Sequence, residues 1–261
     1  DQPRSRGLGD VYKRQVNIPG IQNFRDLGGY PSYSTKKQVR WGMIYRSAEI
    51  DSLECYSRRE LRNLGIKTLI DLRASSETGR QSPLQKEFNV VHIPLATGDM
   101  ENILKGIREE KIKSDTVYRM VEQMNRDLID KYTTEYRQIF DILLDKNSYP
   151  VVIHCSSGKG RTGIVSALVL AALGINEDII MEDYRLSNDY FNIPSASKDA
   201  YQLPARSQEA ITTLFSARED FLNAAKEEAE RRYGDIDSYL QKGIGLNKDE
   251  IKRLRSILLS D

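Results

Sequence analysis

From Val16 onward, short runs of consecutive apolar residues alternate with longer stretches whose apolar positions recur every three or four residues. That is the pattern of strands alternating with helices, and it predicts an α/β fold with a central, mostly parallel sheet flanked by helices. The stretches 42–47, 66–72, 90–93 and 150–154 read as strands, with Pro94 closing the third. Ser57 and Glu60 are spaced as a capping box for a helix that Gly65 should end. The run from Ile164 to Leu173 is almost wholly apolar, as expected of a buried helix stopped by Gly174. Asn176, Ser216 and Asn247 are placed as helix N-caps, the last two with Glu219 and Glu250 three residues on, so the C-terminal third should be helical.

Between Met100 and Lys146, Val117, Met120, Val121, Met124, Leu128, Tyr132, Tyr136, Ile139, Phe140 and Leu143 recur at helical spacing. Core packing explains this in the plainest way. The segment from about 101 to 133 also interrupts the strand alternation just before the chemical motif, which predicts a helical lid.

Length and charge narrow the picture. A chain of 261 residues with 39% hydrophobic and 30% charged positions suits one domain over 16–261 with a sizeable core. The formal charge of +1 supplies no global field for nucleic acid or anionic membrane, so any affinity for an anion must be local. The dense Lys, Arg and Glu from Arg218 to Arg232 reads as a solvated helix face. Residues 1–15, DQPRSRGLGDVYKRQ, lack apolar periodicity and read as a non-native or disordered leader. An export signal lost with the true start would leave both a cytoplasmic and an exported location open. No apolar run reaches membrane-spanning length, and oligomeric state is not legible.

The segment His154-Cys155-Ser156-Ser157-Gly158-Lys159-Gly160-Arg161-Thr162-Gly163 joins a buried strand to the apolar helix. A cysteine and an arginine five residues apart is a weak signal by itself; the strand, loop and helix context makes it strong. Gly158 and Gly160 let the amides of Ser156, Ser157, Gly158, Lys159, Gly160 and Thr162 converge on one point at a helix N-terminus, a cradle for phosphate. Arg161 can donate two parallel hydrogen bonds to phosphate oxygens and stabilise transition-state charge. The same field favours a thiolate on Cys155, able to displace an ester oxygen in line and leave a phosphocysteine for water to hydrolyse. Thr162 is placed to hydrogen-bond the sulfur, and His154 to orient the loop by hydrogen bonding.

An inert buried thiol is the bland alternative for Cys155, and the loop chemistry argues against it. Cys55, among Glu54, Tyr56 and Ser57 with no such loop, is expected to be non-catalytic. With His92 and His154 the only histidines and no ligand spacing among them, no metal site is expected.

At this loop the sequence resembles the cysteine-based phosphatase superfamily. NFRDLGG at 23–29, IYRS at 44–47, DLR at 71–73, HCSSGKGRTG and DYRLSND at 183–189, with Tyr233-Gly234 and Tyr239-Leu240, resemble the bacterial tyrosine and lipid phosphatases typified by mycobacterial protein tyrosine phosphatase B. The resemblance spans about 16–260. It implies a phosphatase fold with a helical lid, activity toward phosphotyrosine proteins, in some members dual specificity, or toward phosphoinositides, and no metal or cofactor. In the loop the family commonly has an aspartate where Gly160 stands, while Lys159, which would favour highly charged lipid substrates, is retained. Asp99 matches the place of the family's proposed general acid; Asp26 and Asp71 are rivals that could instead tie down the NFRDLGG turn and brace Arg161 or a backbone loop. Two other readings remain: a catalytically weak phosphate-binding pseudophosphatase, suggested by Gly160, and rhodanese-like sulfur transfer, which Arg161 and Thr162 disfavour.

Overall fold

In the computed structural model, residues 13–51, 53–78 and 83–260 are described. Five strands form the main sheet in the order β1 (Arg25–Asp26), β3 (Ile44–Ser47), β6 (Val151–His154), β4 (Thr68–Asp71) and β5 (Asn89–His92). All neighbours are parallel except β1, which runs antiparallel on the edge. The α/β class expected from the strand and helix alternation is therefore the one observed. The parallel register sets Ser47, His154, Asp71 and His92 in one row at the carboxyl ends of their strands. In open α/β sheets that edge is where ligands bind.

Strand residues alternate between two cores, as a period of two requires. Ile44, Ile70, Val151 and Ile153 face the larger cluster, with helices α4 (Thr133–Leu143), α5 (Gly160–Ala172), α6 (Glu177–Arg185), α8 (Glu219–Tyr233) and α9 (Lys248–Leu258). Tyr45, Leu69 and Val152 face the smaller one, with Leu61 of helix α1 (Cys55–Asn63) and with Ile18 and Phe24. Helix α5 is apolar on nearly every side because it is enclosed on nearly every side. Its C-terminus is closed by Gly174 at φ +75°.

A third cluster joins α2 (Met100–Arg108), α3 (Ser114–Lys131) and α7 (Ala205–Phe215) through Ile103, Ile107, Val117, Ala210 and Ile211. These helices thus carry a core of their own, and the region expected as a lid is helical, with a break at 109–113. A two-stranded sheet pairs β2 (Gln38–Val39) with β7 (Leu259–Ser260), tying the end of the chain to the body. Of the expected leader, residues 1–12 lie outside the described residues, whereas Arg14 is buried, donates to Gly28 O at 3.0 Å and stacks over Tyr30.

Two capping expectations fail. Helix α1 starts at Cys55 with Glu54 as its N-cap, and Ser57 instead donates to Pro19 O at 2.5 Å, a tertiary bond that outcompetes the local box. Arg218, not Ser216, caps α8, because Ser216 Oγ turns back onto Thr212 O at the end of α7. Asn176 and Asn247 cap as expected, the latter in a full capping box with Glu250.

Candidate active site

The loop from Cys155 to Lys159 leaves the carboxyl end of β6 and enters α5. Gly158 sits at φ +68°, and a Cβ there would lie 2.4 Å from Ser47 O, so both its dihedral and its contact with β3 exclude a side chain. Gly160 is different: a Cβ there meets nothing within 4 Å, so the residue that departs from the family pattern is not demanded by space.

Three of the loop's carbonyls, those of Ser156, Ser157 and Gly158, are held by residues outside it. Asn23 Nδ2 donates to Ser157 O at 3.1 Å and to Gly158 O at 3.0 Å, Arg46 Nη2 to Gly158 O at 2.7 Å, and Glu49 N to Ser156 O at 3.1 Å. The amides of Ser156, Ser157, Gly158 and Lys159 donate to no other described residue. With these carbonyls fixed outside, the loop keeps its donors for an anion.

Three of the sequence motifs meet beneath this loop. Arg25 and Arg46, both fully buried, share the carboxylate of Asp183: Arg25 Nε lies 3.1 Å from Oδ1 and Arg46 Nη1 2.6 Å from Oδ2. Arg25 also donates to Asn23 Oδ1, and Tyr30 Oη to Asp183 Oδ1 at 3.0 Å. Burial opposes ionisation of Asp183, but the two guanidiniums overcome it and hold its carboxyl down at about 2. Two cations on one anion leave a net positive charge behind the loop. NFRDLGG, IYRS and DYRLSND are visible as motifs without revealing this role; an arginine in each of two strands is a signal only once those strands are known to lie side by side next to β6.

Arg161 is held from the other side. Its Nη1 and Nη2 lie 2.5 and 2.8 Å from the two oxygens of Glu77, which also accepts from Ser156 Oγ at 2.6 Å and from Ala74 N at 2.8 Å. Burial works against the Glu77 carboxylate, but its bonds and attraction to Arg161 prevail and set it at about 2. Glu77 was not singled out from the sequence. Of the two braces expected of Asp71, the one to Arg161 is not formed and the one to a backbone loop is: Asp71 accepts from Arg73 N at 3.0 Å, and from Arg73 Nε at 3.0 Å and Nη2 at 2.6 Å, because Arg73 lies two residues on past the same strand end. Asp26 accepts from Gly28 N and Gly42 N, each at 2.7 Å, so it ties down the NFRDLGG turn.

Two expected hydrogen bonds are not formed. Thr162 Oγ1 is buried without a partner, so it does not bond the Cys155 sulfur in this arrangement. His154 Nδ1, also without a partner, lies 4.0 Å from Asp71 Oδ1; burial pushes the ring down to about 4 against the attraction of Asp71, leaving it neutral near pH 7.

Cys155, Ser157, Lys159, Gly160 and Arg161 line one cleft of about 80 Å³. Thr97 and Met100, Val121, Met124 and Leu128 of α3, Phe215 of α7 and Phe221 of α8 close it over. Lys159 is 4% exposed, its Nζ has no hydrogen-bond partner, and it lies 5.1 Å from the ring centre of Phe191 and 5.2 Å from that of Phe215. Burial lowers it to about 7, against the pull of Cys155. Asp99, between the cleft-lining Thr97 and Met100, is exposed and caps α2, accepting from Asn102 N at 3.0 Å and Asn102 Nδ2 at 2.6 Å. Cys55 is exposed on α1, away from these groups.

Among the described residues there is no cluster of three or more metal-ligating side chains, and no helix is long and apolar enough to cross a membrane. The sequence model of the tyrosine phosphatase family matches residues 16–260. The triple specificity protein phosphatase PtpB of Mycobacterium tuberculosis is 30% identical over 285 residues, which cover 93% of this chain and 98% of that one. A tyrosine-protein phosphatase of Nostoc commune is 25% identical over 221 residues, 80% of this chain and 72% of its own. The core catalytic domain of the PP-IP phosphatase SIW14 from S. cerevisiae, a solved structure, covers 77% of this chain and 92% of that chain at 16% identity, with a TM-score of 0.36.

Proposed function

Because this chain belongs to the tyrosine phosphatase family, we propose that it hydrolyses phosphomonoesters through a cysteinyl-phosphate on Cys155, with Arg161 and the amides of 156–160 gripping the phosphoryl oxygens. The sulfur attacks phosphorus in line, the S–P bond forms as the bond to the ester oxygen breaks, and that oxygen takes a proton. Water then attacks phosphorus, the S–P bond breaks, and inorganic phosphate leaves the thiolate free. The observation that supports this best is that Cys155 and Arg161 line one cleft beside a loop whose amide donors are unspent.

The proton donor is Asp99, an exposed carboxylate in the segment between the cleft-lining Thr97 and Met100, which must release Asn102 to act. A good leaving group needs no acid. Asp99→Asn should therefore slow phosphotyrosine or phosphoserine peptides far more than p-nitrophenyl phosphate; equal slowing of all three would point elsewhere. The region 101–133, joined by α7, is read as a lid, since a cleft of about 80 Å³ is well below the 300–1,000 Å³ of ligand pockets and must widen for a substrate.

For substrate, the unpartnered Lys159 ammonium beside the loop favours esters carrying a second phosphate, as in phosphoinositides, alongside phosphotyrosine proteins. The name of the mycobacterial relative, triple specificity, fits such breadth. The decisive assay is hydrolysis of p-nitrophenyl phosphate in EDTA. Cys155→Ser should abolish turnover, a loss on the order of 10⁴-fold or more, while keeping affinity for inorganic phosphate. Metal-dependent turnover that survives Cys155→Ser would reject the mechanism, and phosphoinositide binding by the unaltered chain without turnover would favour a pseudophosphatase.

A further inference from the structure

A second hollow among the described residues is larger than the catalytic cleft. A cavity of about 570 Å³ lies against the C-terminal half of α5, between α6, α8 and the short helical turn at Ile236–Ser238. Its volume falls within the range typical of small-ligand pockets. From α5 it takes Ile164, Ala167, Leu168 and Ala171, one helix face at spacings of three and four. Ile180, Met181 and Ile236 also face it and are only partly buried. Partly buried apolar side chains gathered around one concavity are a binding feature rather than ordinary surface.

We infer that this hollow binds a cationic amphiphile, an alkyl chain carrying an amine. The walls dictate the body of the ligand: this apolar floor would leave a buried polar group without partners, whereas an alkyl chain loses nothing there. The mouth dictates the head. Four carboxylates, Glu177, Glu230, Asp235 and Asp237, rim the hollow against Lys226 and Arg255. Lys226 is already bonded to Glu177 and lies 3.7 Å from Glu230, while Arg255 Nε is spent on Ala172 O at 2.8 Å. Asp235 accepts the backbone amide of Ser238 at 2.6 Å and feels the charge of Lys242, and neither it nor Asp237 forms an ion pair among the described residues. An ammonium seated there would find four carboxylates against two cations, whereas a carboxylate would find only Lys226, already paired, and Arg255.

The test titrates the full chain with decylammonium, decanol and decanoate, each below self-association, by calorimetry. One saturable decylammonium site per chain is expected, with decanoate at least tenfold weaker and decanol between them. Ala171→Trp, which fills the hollow from its floor, should weaken decylammonium at least tenfold while far-ultraviolet circular dichroism stays native; if that variant fails to fold, Met181→Trp fills it from the rim. Asp235→Asn with Asp237→Asn should narrow the gap between the amine and the acid. Unsaturable uptake, equal binding by the filled variant, or equal affinity for the amine and the acid would overturn the proposal. None of these outcomes depends on phosphatase turnover, so the site and the proposed reaction stand or fall separately.

Discussion

The two cavities that share α5 are built on opposite principles. The cleft at its N-terminus is about 80 Å³ and framed by fixed hydrogen bonds, with Asn23, Arg46 and Glu77 each holding one part of the loop. The hollow at its C-terminal half is about 570 Å³, and its floor is the apolar side chains of Ile164, Ala167, Leu168 and Ala171. Volume alone would send a search for chemistry to the wrong end of the helix. What marks the reactive end is polar groups already oriented before any substrate arrives, since preorganised dipoles need no rearrangement during reaction.

The sharpest way to break this contrast is to remove the charge at its base. Asp183→Ala leaves Arg25 and Arg46 buried with no counter-charge, and loss of one partner of a buried ion pair costs about 3–5 kcal/mol. Urea denaturation should show that loss, whereas Asp237→Asn at the mouth of the hollow should stay within about 0.5 kcal/mol of the unaltered chain. Equal effects would mean that the brace is not what distinguishes the two ends. Glu77→Gln comes next. It keeps one acceptor for Arg161 but loses the charge that fixes the guanidinium, and misplacing a catalytic group by about 1 Å costs about 10²-fold. The loss should fall on kcat for p-nitrophenyl phosphate; a fall in KM with kcat intact would instead show Glu77 to be competing with phosphate for the fork.

Lys159 offers a smaller, pH-dependent test. Its folded value of about 7 lies below the ordinary 10.5, so burying the ammonium costs stability progressively as pH falls from 10.5 to 7, and fully below that. Lys159→Met should therefore raise Tm more at pH 6 than at pH 10, and a pH-independent gain would mean that the ammonium is well solvated. The same variant should reduce the preference for doubly over singly phosphorylated substrates about tenfold, roughly the worth of one charge-assisted hydrogen bond.

The contrast also explains what could be read from the sequence. The strands at 44–47, 68–71, 89–92 and 151–154 and the helix after Gly160 were legible because apolar periodicity is local, as were Cys155 and Arg161, carried within ten residues of one loop. Glu77 was not, because nothing within its neighbourhood shows that it will meet Arg161, 84 residues away. Asp183 is likewise 158 residues from Arg25. Ser57 misled for the same reason in reverse, its local capping rule overridden by a contact to Pro19, 38 residues away, whereas Ser216 was taken by a local competitor, the Thr212 carbonyl four residues back. The hollow was invisible, since its apolar walls look like any core position until their arrangement leaves a gap.

The mildest prediction asks whether the two ends communicate. Neighbouring residues on the same helices face different cavities: Leu128 of α3 and Phe221 of α8 line the cleft, while Ile129 and Leu222 line the hollow. A ligand lodged in the hollow touches α3, α5 and α8 together and so opposes any separation of α3 from α5. If the cleft must widen by moving α3, filling the hollow favours the closed form, and the size of the effect follows from the difference in ligand affinity between the two forms. Saturating decylammonium should then lower kcat/KM for a phosphotyrosine peptide about fivefold, the low end of measured couplings. It should lower that for p-nitrophenyl phosphate less, since a smaller ester needs less opening. Ala171→Trp, with the hollow already filled, should show the reduced rate without added ligand and no further response to it. Equal inhibition of the filled and unfilled chains would place the ligand at the cleft itself, and the two ends of α5 would then be independent.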